Sequence, residues 1–263
     1  MGKFTKTQIR ELRELVREKK ARDEKDLFVA EGIKIVEDML MKEHVPVSVV
    51  IASDFANKPE GKSLLEKLQE AAVPVSDTSS ADIEKLSSLK NSQGILAVMK
   101  KSSVEERVQP SEQSILVLCD GIQDPGNLGA IIRTSIAFGV DGILLSGDTV
   151  DIYNPKVVRA SSGTVLDIPV RVSDMAEINS LQKEGYRLLV SMVGDAGSSD
   201  VIGACKYEGP LIIAFGSEGQ GVSRELSESA DGFFHIPIRE DIESLNVTAA
   251  AAITLFVLSR SKS

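Results

Sequence analysis

The stretch that decides the fold runs Ile115-Leu116-Val117-Leu118-Cys119-Asp120-Gly121-Ile122-Gln123-Asp124-Pro125-Gly126-Asn127-Leu128-Gly129-Ala130-Ile131-Ile132-Arg133-Thr134. An apolar run of strand length passes through an Asp-Pro-Gly turn into a helical pattern. The same change recurs at Gly216-Ser217-Glu218-Gly219-Gln220-Gly221, after the apolar residues 211–215, and at Glu243-Ser244-Leu245-Asn246-Val247, after residues 233–236. Strand-to-helix junctions are where an open α/β sheet presents backbone amides and polar side chains to a ligand.

Working outward, strand patterns at 115–119, 142–145, 187–192, 211–215 and 233–236 alternate with helical patterns near 128–138, 175–183, 223–230 and 247–259. Such alternation predicts an α/β domain with a mostly parallel sheet covered on both faces. Residues 100–114, rich in Ser, Glu, Gln and Pro, read as a linker. Before it, strand patterns at 27–30, 47–51 and 95–99 alternate with helical ones at 32–42 and 62–72, a second and smaller α/β domain. The domain boundaries follow as 1–105 and 113–263.

The composition, 42% apolar and 26% charged, is that of a globular protein. No run reaches the roughly 20 apolar residues of a membrane helix, and the first residues lack the apolar core of a signal peptide, so a soluble cytoplasmic protein is expected. Cys119 and Cys205 stand far apart in apolar surroundings with no Cys-x-x-Cys pair, and His44 and His235 are the only histidines. This argues against a metal and a disulfide framework and for buried thiols.

The net charge of −9 is unevenly spread: the first 22 residues hold eight basic and three acidic side chains, a net +5, and the remainder carries −14. A basic arm on an acidic body suits a grip on RNA phosphates, with Arg10, Arg13, Arg17 and Lys20 as contacts. The other reading is an amphipathic helix, with Ile9, Leu12, Leu15 and Val16 as the buried stripe and the charges as its solvated face.

The order of the three motifs, the lead-in Asp120 to Asn127 and the segment Tyr153-Asn154-Pro155-Lys156-Val157-Val158-Arg159-Ala160-Ser161 resemble the SpoU (TrmH-like) family of RNA ribose 2′-O-methyltransferases in the SPOUT superfamily. The resemblance covers roughly residue 115 to the C-terminus. It implies a catalytic domain with a C-terminal trefoil knot, S-adenosylmethionine as cofactor, no metal, and a homodimer whose partner completes the site. The 1–105 piece resembles the family's small RNA-binding domains, chiefly through Leu27-Phe28-Val29-Ala30-Glu31-Gly32, and favours ribosomal RNA as substrate. Transfer RNA, or a catalytically silent ribosome-assembly role, are the alternatives.

By the same resemblance, Arg133 is the essential arginine, with Asn127, Glu218, Ser244 and Asn246 beside it in the active site. Gly216, Ile236, Leu245 and Met192 would hold the cofactor, largely through backbone groups, and Lys156 and Arg159 would touch RNA. Arginine, with a pKa above about 12, is a poor base, so Arg133 either activates the hydroxyl or clamps the adjacent phosphate.

Each position also has a structural reading. Arg133 can be a surface residue of an amphipathic helix, Glu218 a carboxylate favoured at a helix start, Ser244 the cap of the last helix, and Pro155 the first-turn proline of its own. The glycines 216, 219 and 221 permit positive φ and close backbone approach, which a phosphate-binding loop would also use, although no Lys-Ser/Thr pair follows. Glu240 stands where the family commonly has glycine, which implies a reshaped loop beside the cofactor.

Overall fold

The computed structural model describes residues 2–88, 91–101, 111, 113–193, 200–203, 209–239 and 241–261. Most of the 100–114 linker, Cys205 and Glu240 lie outside the described residues. Contacts divide the chain into two compact units, 1–103 with 151–166, and 104–150 with 167–263. Residues 151–166, which the 1–105 and 113–263 boundaries leave in the second domain, thus pack with the first.

In the first unit, β1 (Gly2–Lys3), β4 (Val75–Thr78), β3 (Ser48–Ala52), β5 (Ile95–Lys100) and β2 (Leu27–Glu31) lie side by side in that order among the described residues. The β1–β4 and β4–β3 pairs are parallel, while β3–β5 and β5–β2 are antiparallel. The helices are α1 (Lys6–Arg17), α2 (Lys19–Lys25), α3 (Ile33–Met41), α4 (Ser53–Ala56), α5 (Pro59–Glu70) and α6 (Ser80–Leu86). β4, Val-Ser-Asp-Thr, escapes sequence reading because none of its residues is fully buried and it lacks an apolar alternation.

Helix α1 opens with a capping box in which Thr5 and Gln8 satisfy each other's backbone amides. Leu12 and Leu15 are buried and Ile9 and Val16 half-buried, as the amphipathic reading requires, while Arg10, Arg13 and Arg17 on α1 and Lys20 on α2 are exposed. Arg22 is different in kind. It is 3% exposed, its Nη2 and Nε donate to Asp151 Oδ2 at 2.6 and 2.8 Å, and its Nη1 donates to the Leu15 carbonyl at 2.8 Å.

Asp151 Oδ1 accepts from the Tyr153 amide at 3.0 Å, and the Tyr153 ring packs on Phe28 with centroids 4.8 Å apart. The short helix α8 (Pro155–Ala160) follows, capped by Asn154 with Pro155 in its first turn, and buries Val157 and Val158. Gly163, at φ +81, closes the segment: a Cβ there would lie 2.8 Å from Ile35 Cγ2 of α3. The apolar side chains of 151–166 thus find their partners on β2 and α3, which is why this stretch belongs to the first unit.

In the second unit the strand order is β10 (Asp200–Val201), β12 (Gly232–His235), β9 (Arg187–Ser191), β11 (Leu211–Gly216), β6 (Ile115–Asp120), β7 (Gly142–Ser146) and β8 (Val170–Val172), and every described pair is parallel. Leu116, Leu118, Leu188, Val190, Ile212 and Ala214 alternate onto one face, where Ile178 and Leu181 of α9 (Met175–Lys183) and Leu226 of α10 (Arg224–Glu228) cover them. The intervening Val117, Cys119, Ile213 and Phe215 are equally buried, and α7 (Pro125–Ala137) packs against α11 (Val247–Ser261), which also contacts β11. Burial on both faces is what turns these strands into continuous apolar runs.

Burial and the neighbouring Asp120 carboxylate push the Cys119 thiol up to about 12, so it stays protonated at neutral pH and packs as a small hydrophobe. Among the described residues no helix is long and apolar enough to cross a membrane.

Removing one partner of a hydrogen-bonded buried ion pair leaves an uncompensated charge. Arg22→Ala is therefore expected to lower stability by about 3–5 kcal/mol. Arg13→Ala, on the exposed face, should stay within about 0.5 kcal/mol, with both read from urea denaturation.

Candidate active site

Strand β6 is where the order reverses: the chain goes from β6 to β7 and β8 on one side, and β11, β9 and β12 lie on the other. The crevice outside the carboxyl ends of the strands at such a switch point is the expected ligand site of an open parallel sheet. The register places Asp120, the last residue of β6, opposite Gly216, the last of β11.

Asp120 is 5% exposed, and both of its oxygens are used. Oδ1 accepts from Ser146 Oγ at the end of β7 at 2.8 Å, and Oδ2 from the Ser223 amide at 2.6 Å. It therefore ties down both β7 and the exit of the glycine loop. In the sequence Asp120 marks only the start of the lead-in, and nothing in its spacing foretells these two bonds.

The loop itself is a closed turn. The Ser217 amide donates to the Gly221 carbonyl at 3.0 Å and the Gly221 amide to the Ser217 carbonyl at 2.9 Å. Gly221 sits at φ +69, and a Cβ on Gly216 would fall 2.0 Å from the Gly221 carbonyl carbon, so the close approach that Gly216 permits is to its own loop. Gly219 has no such need, with nothing within 4 Å. The Ser217 and Gly221 amides, spent inside the turn, are not available to cradle a phosphate.

At the tip, Glu218 projects toward two carboxamides rather than a helix start. Asn127 Nδ2 donates to Glu218 Oε1 at 3.1 Å, Asn246 Nδ2 donates to the same oxygen at 2.5 Å, and Asn246 Nδ2 lies 3.4 Å from Asn127 Oδ1. Asn127 is held by α7, whose cap is Asp124: Asp124 Oδ1 accepts from the Asn127 amide at 2.9 Å and Pro125 starts the helix. Asn246 is held by α11. Its Oδ1 accepts from the Thr248 amide at 2.9 Å and from the Thr248 hydroxyl, so the cap role expected of Ser244 falls to Asn246.

Beside this cluster runs a cleft walled by Met192, Phe215, Gly216, Ile236, Ile238, Ser244 and Leu245. All four residues assigned to the cofactor line it. Among the described residues lining it there is no Lys or Arg, and its one carboxylate is Glu218. Apolar walls with backbone polar groups fit an adenosine, and a lone carboxylate fits a cationic sulfonium better than a polyphosphate. A second hollow shares Ser217, Glu218, Gly221 and Val247 with the cleft.

Arg133 stands apart. It is exposed on α7, about 9 Å along the helix axis from Asn127 by helical rise, and lines neither cavity. Lys156 and Arg159 are exposed on α8 of the first unit. Of the loop that carries Glu240, the flanking Arg239 and Asp241 pair through a fork of 2.9 and 2.8 Å.

The sequence profile of the SpoU rRNA Methylase family matches residues 114–256 of this chain. The chain belongs to that family. A profile of the MRM3-like substrate binding domain matches residues 6–97. Among SpoU relatives, the 23S rRNA (guanosine(2553)-2′-O)-methyltransferase RlmP of Bacillus subtilis is 32% identical over 245 residues, 91% of each chain. An uncharacterized tRNA/rRNA methyltransferase of Synechocystis is 33% identical over 180 residues, 68% of this chain and 64% of that protein. The crystal structure of an AdoMet-bound rRNA methyltransferase from Sinorhizobium meliloti has a TM-score of 0.83 at 29% identity, over 99% of this chain and 97% of that one.

In this SpoU chain the closed turn should depend on one glycine and tolerate change at another. Gly216→Ala is expected to speed hydrogen exchange of the Ser217 and Gly221 amides by at least about tenfold, a loss of one local hydrogen-bond pair. Gly219→Ala should leave both protected.

Proposed function

We propose that this protein transfers a methyl group from S-adenosylmethionine to a ribose 2′-hydroxyl of ribosomal RNA. The observation that carries the reading is the joining of Asn127, Glu218 and Asn246, from three distant motifs, beside an apolar cleft with no Lys or Arg among its described lining residues. It is supported by membership of the SpoU family and by ribosomal RNA relatives covering nearly the whole chain. Acting on ribosomal RNA, the protein works in the cytoplasm, and its catalytic domain is threaded as the family's trefoil knot.

When bound, S-adenosylmethionine supplies an electrophilic methyl group on a positively charged sulfur. Met192, Ile236 and Leu245, with the backbone at Gly216, hold its adenosine, and Ser244 lies on the rim. Glu218 would favour binding of that cation, and Asn127 and Asn246 fix the carboxylate's orientation through Oε1. Its Oε2 carries no hydrogen bond among the described residues and is available to accept the proton that the 2′-hydroxyl gives up on methylation. Arg133, with its planar fork of donors, clamps the neighbouring phosphate.

Because Arg133 is exposed and lines neither cavity of its own chain, it serves the site of a partner in a homodimer. On the first unit, Arg10, Arg13, Arg17, Lys20, Lys156 and Arg159 bind RNA phosphates. The pairs Arg10–Glu14 and Lys20–Glu24, at 3.8 and 3.7 Å and solvent-exposed, are weak enough to be exchanged for phosphate contacts at little cost.

The direct test is transfer of labelled methyl to RNA from cells lacking the protein, followed by nucleoside digestion. A 2′-O-methylnucleoside from ribosomal RNA is expected. Label in transfer RNA alone would change the substrate, and no label would refute the activity. Arg133→Ala should lower kcat by about 10²-fold or more while calorimetry shows unchanged cofactor affinity. Mixing inactive Arg133→Ala and Asn246→Ala subunits should restore about a quarter of wild-type activity, since half of random dimers regain one intact site. If Arg133 serves its own chain, the mixture stays inactive.

A further inference from the structure

The hollow that shares Ser217, Glu218, Gly221 and Val247 with the apolar cleft has a volume of about 660 Å³, within the usual range for a ligand pocket. Its wall is polar, and three of its four carboxylates already engage at least one oxygen. Asp120 uses both of its oxygens, Asp124 Oδ1 caps α7, and Glu218 Oε1 receives two carboxamides. Asp148 is the exception. It lines the hollow and makes no hydrogen bond or ion pair with any described residue.

The turn that carries Asp148 is fixed on both flanks. Before it, Ser146 is bonded to Asp120, and Gly147 takes φ +58, where a Cβ would lie 3.1 Å from Asp120 Oδ1. After it, Thr149 Oγ1 lies 2.7 and 3.0 Å from the Ser146 and Cys119 carbonyls and accepts from the Ile122 amide at 3.2 Å. The constrained turn fixes where Asp148 is carried on the wall, and its exposed carboxylate is open to a pair of hydrogen bonds from a ligand.

The four bases answer such a carboxylate differently. Guanine presents two adjacent donors, N1–H and the N2 amine, on its Watson–Crick edge. Adenine and cytosine set a single amine beside a ring-nitrogen acceptor, which a carboxylate repels. Uracil offers one N–H between two carbonyls. Unpaired RNA bases are commonly read on this edge.

We propose that the hollow receives the acceptor nucleotide and that Asp148 selects guanosine by accepting hydrogen bonds from its N1–H and N2 amine. The side-chain amides of Gln123 and Gln220, which also line the hollow, are within the same wall and can donate to O6. This inference rests on the methyltransferase reading above, and it makes Asp148 a specificity residue of that reaction.

The test has two stages. Wild-type enzyme is first incubated with ribosomal RNA from cells lacking it, and the methylated nucleoside is identified; 2′-O-methylguanosine is expected. A synthetic RNA spanning that nucleotide is then compared with the same RNA carrying inosine there, which lacks the N2 amine. Wild-type kcat/KM should fall about 10- to 100-fold on inosine, the discrimination of one bidentate base contact. Asp148→Asn should show a loss of similar size on guanosine and little further loss on inosine, with cofactor affinity unchanged by calorimetry.

A different methylated nucleoside, or equal activity on guanosine and inosine, would overturn the selection by Asp148 and leave the methyltransferase reading intact. Recovery of Asp148→Asn at raised Mg²⁺ would mark the carboxylate as a cation ligand and overturn it as well. Absence of transfer to any nucleoside by the wild-type enzyme would overturn both.

Discussion

The parallel pairing of β6 with β11, in the register that sets Asp120 beside Gly216, is the constraint on which the site depends. Burying a carboxylate is costly unless its oxygens are paired, and Asp120 meets that condition by bonding Ser146 on one side and the Ser223 amide on the other. The Ser223 bond fixes where the glycine loop leaves, and the Gly216 contact fixes where it begins. Between these two points the Ser217–Gly221 bonds leave one projecting residue, Glu218, aimed at Asn127 and Asn246. A one-residue slip of β11 would turn every apolar side chain of that strand to the wrong face, so core packing protects the register that the site needs.

A second buried carboxylate organises the first unit by the same rule. Asp151 takes up Arg22, a buried cation of the basic N-terminal region, and the segment it begins then lays Tyr153, Val157 and Val158 against their own apolar partners. The two readings of α1 turn out to be compatible. Its apolar stripe is buried because the spacing demands it, and that leaves Arg10, Arg13 and Arg17 on the surface, where phosphate could be met. Arg22 shows the limit of counting charges: its burial withdraws it from any such surface.

An acidic protein that works on RNA must keep its negative charge where it helps. In the proposed reaction Glu218 faces a sulfonium and Asp148 faces the donors of a base, so carboxylates serve the two ligand groups that carry positive charge or hydrogen. The phosphates fall to arginines and lysines on exposed helix faces. Local complementarity of this kind, rather than net charge, decides what a surface attracts.

The alternation of apolar strands with helices was legible from residue 115 onward because strands buried on both faces and amphipathic helices leave distinct periodicities. β4 and β8 were not legible, since strands whose residues are only half-buried lose the apolar signal. The three motifs could be found by their junctions. That Asn127, Glu218 and Asn246 meet at one oxygen could not, because 91 and 119 residues separate the bonded pairs that involve Asn127. Asp148 gave no sign, as a single carboxylate after a strand carries no spacing. The assignment of 151–166 to the first unit was equally hidden, since apolar side chains announce that they will be buried but not against which partner. By itself the sequence determined the α/β class, the amphipathic first helix and the family, because these rest on local periodicity and motif order. The closed turn, the carboxylate–carboxamide cluster and the choice of Asn246 over Ser244 as helix cap were decided only by tertiary structure, where strand register and helix ends set which polar groups come within hydrogen-bonding distance.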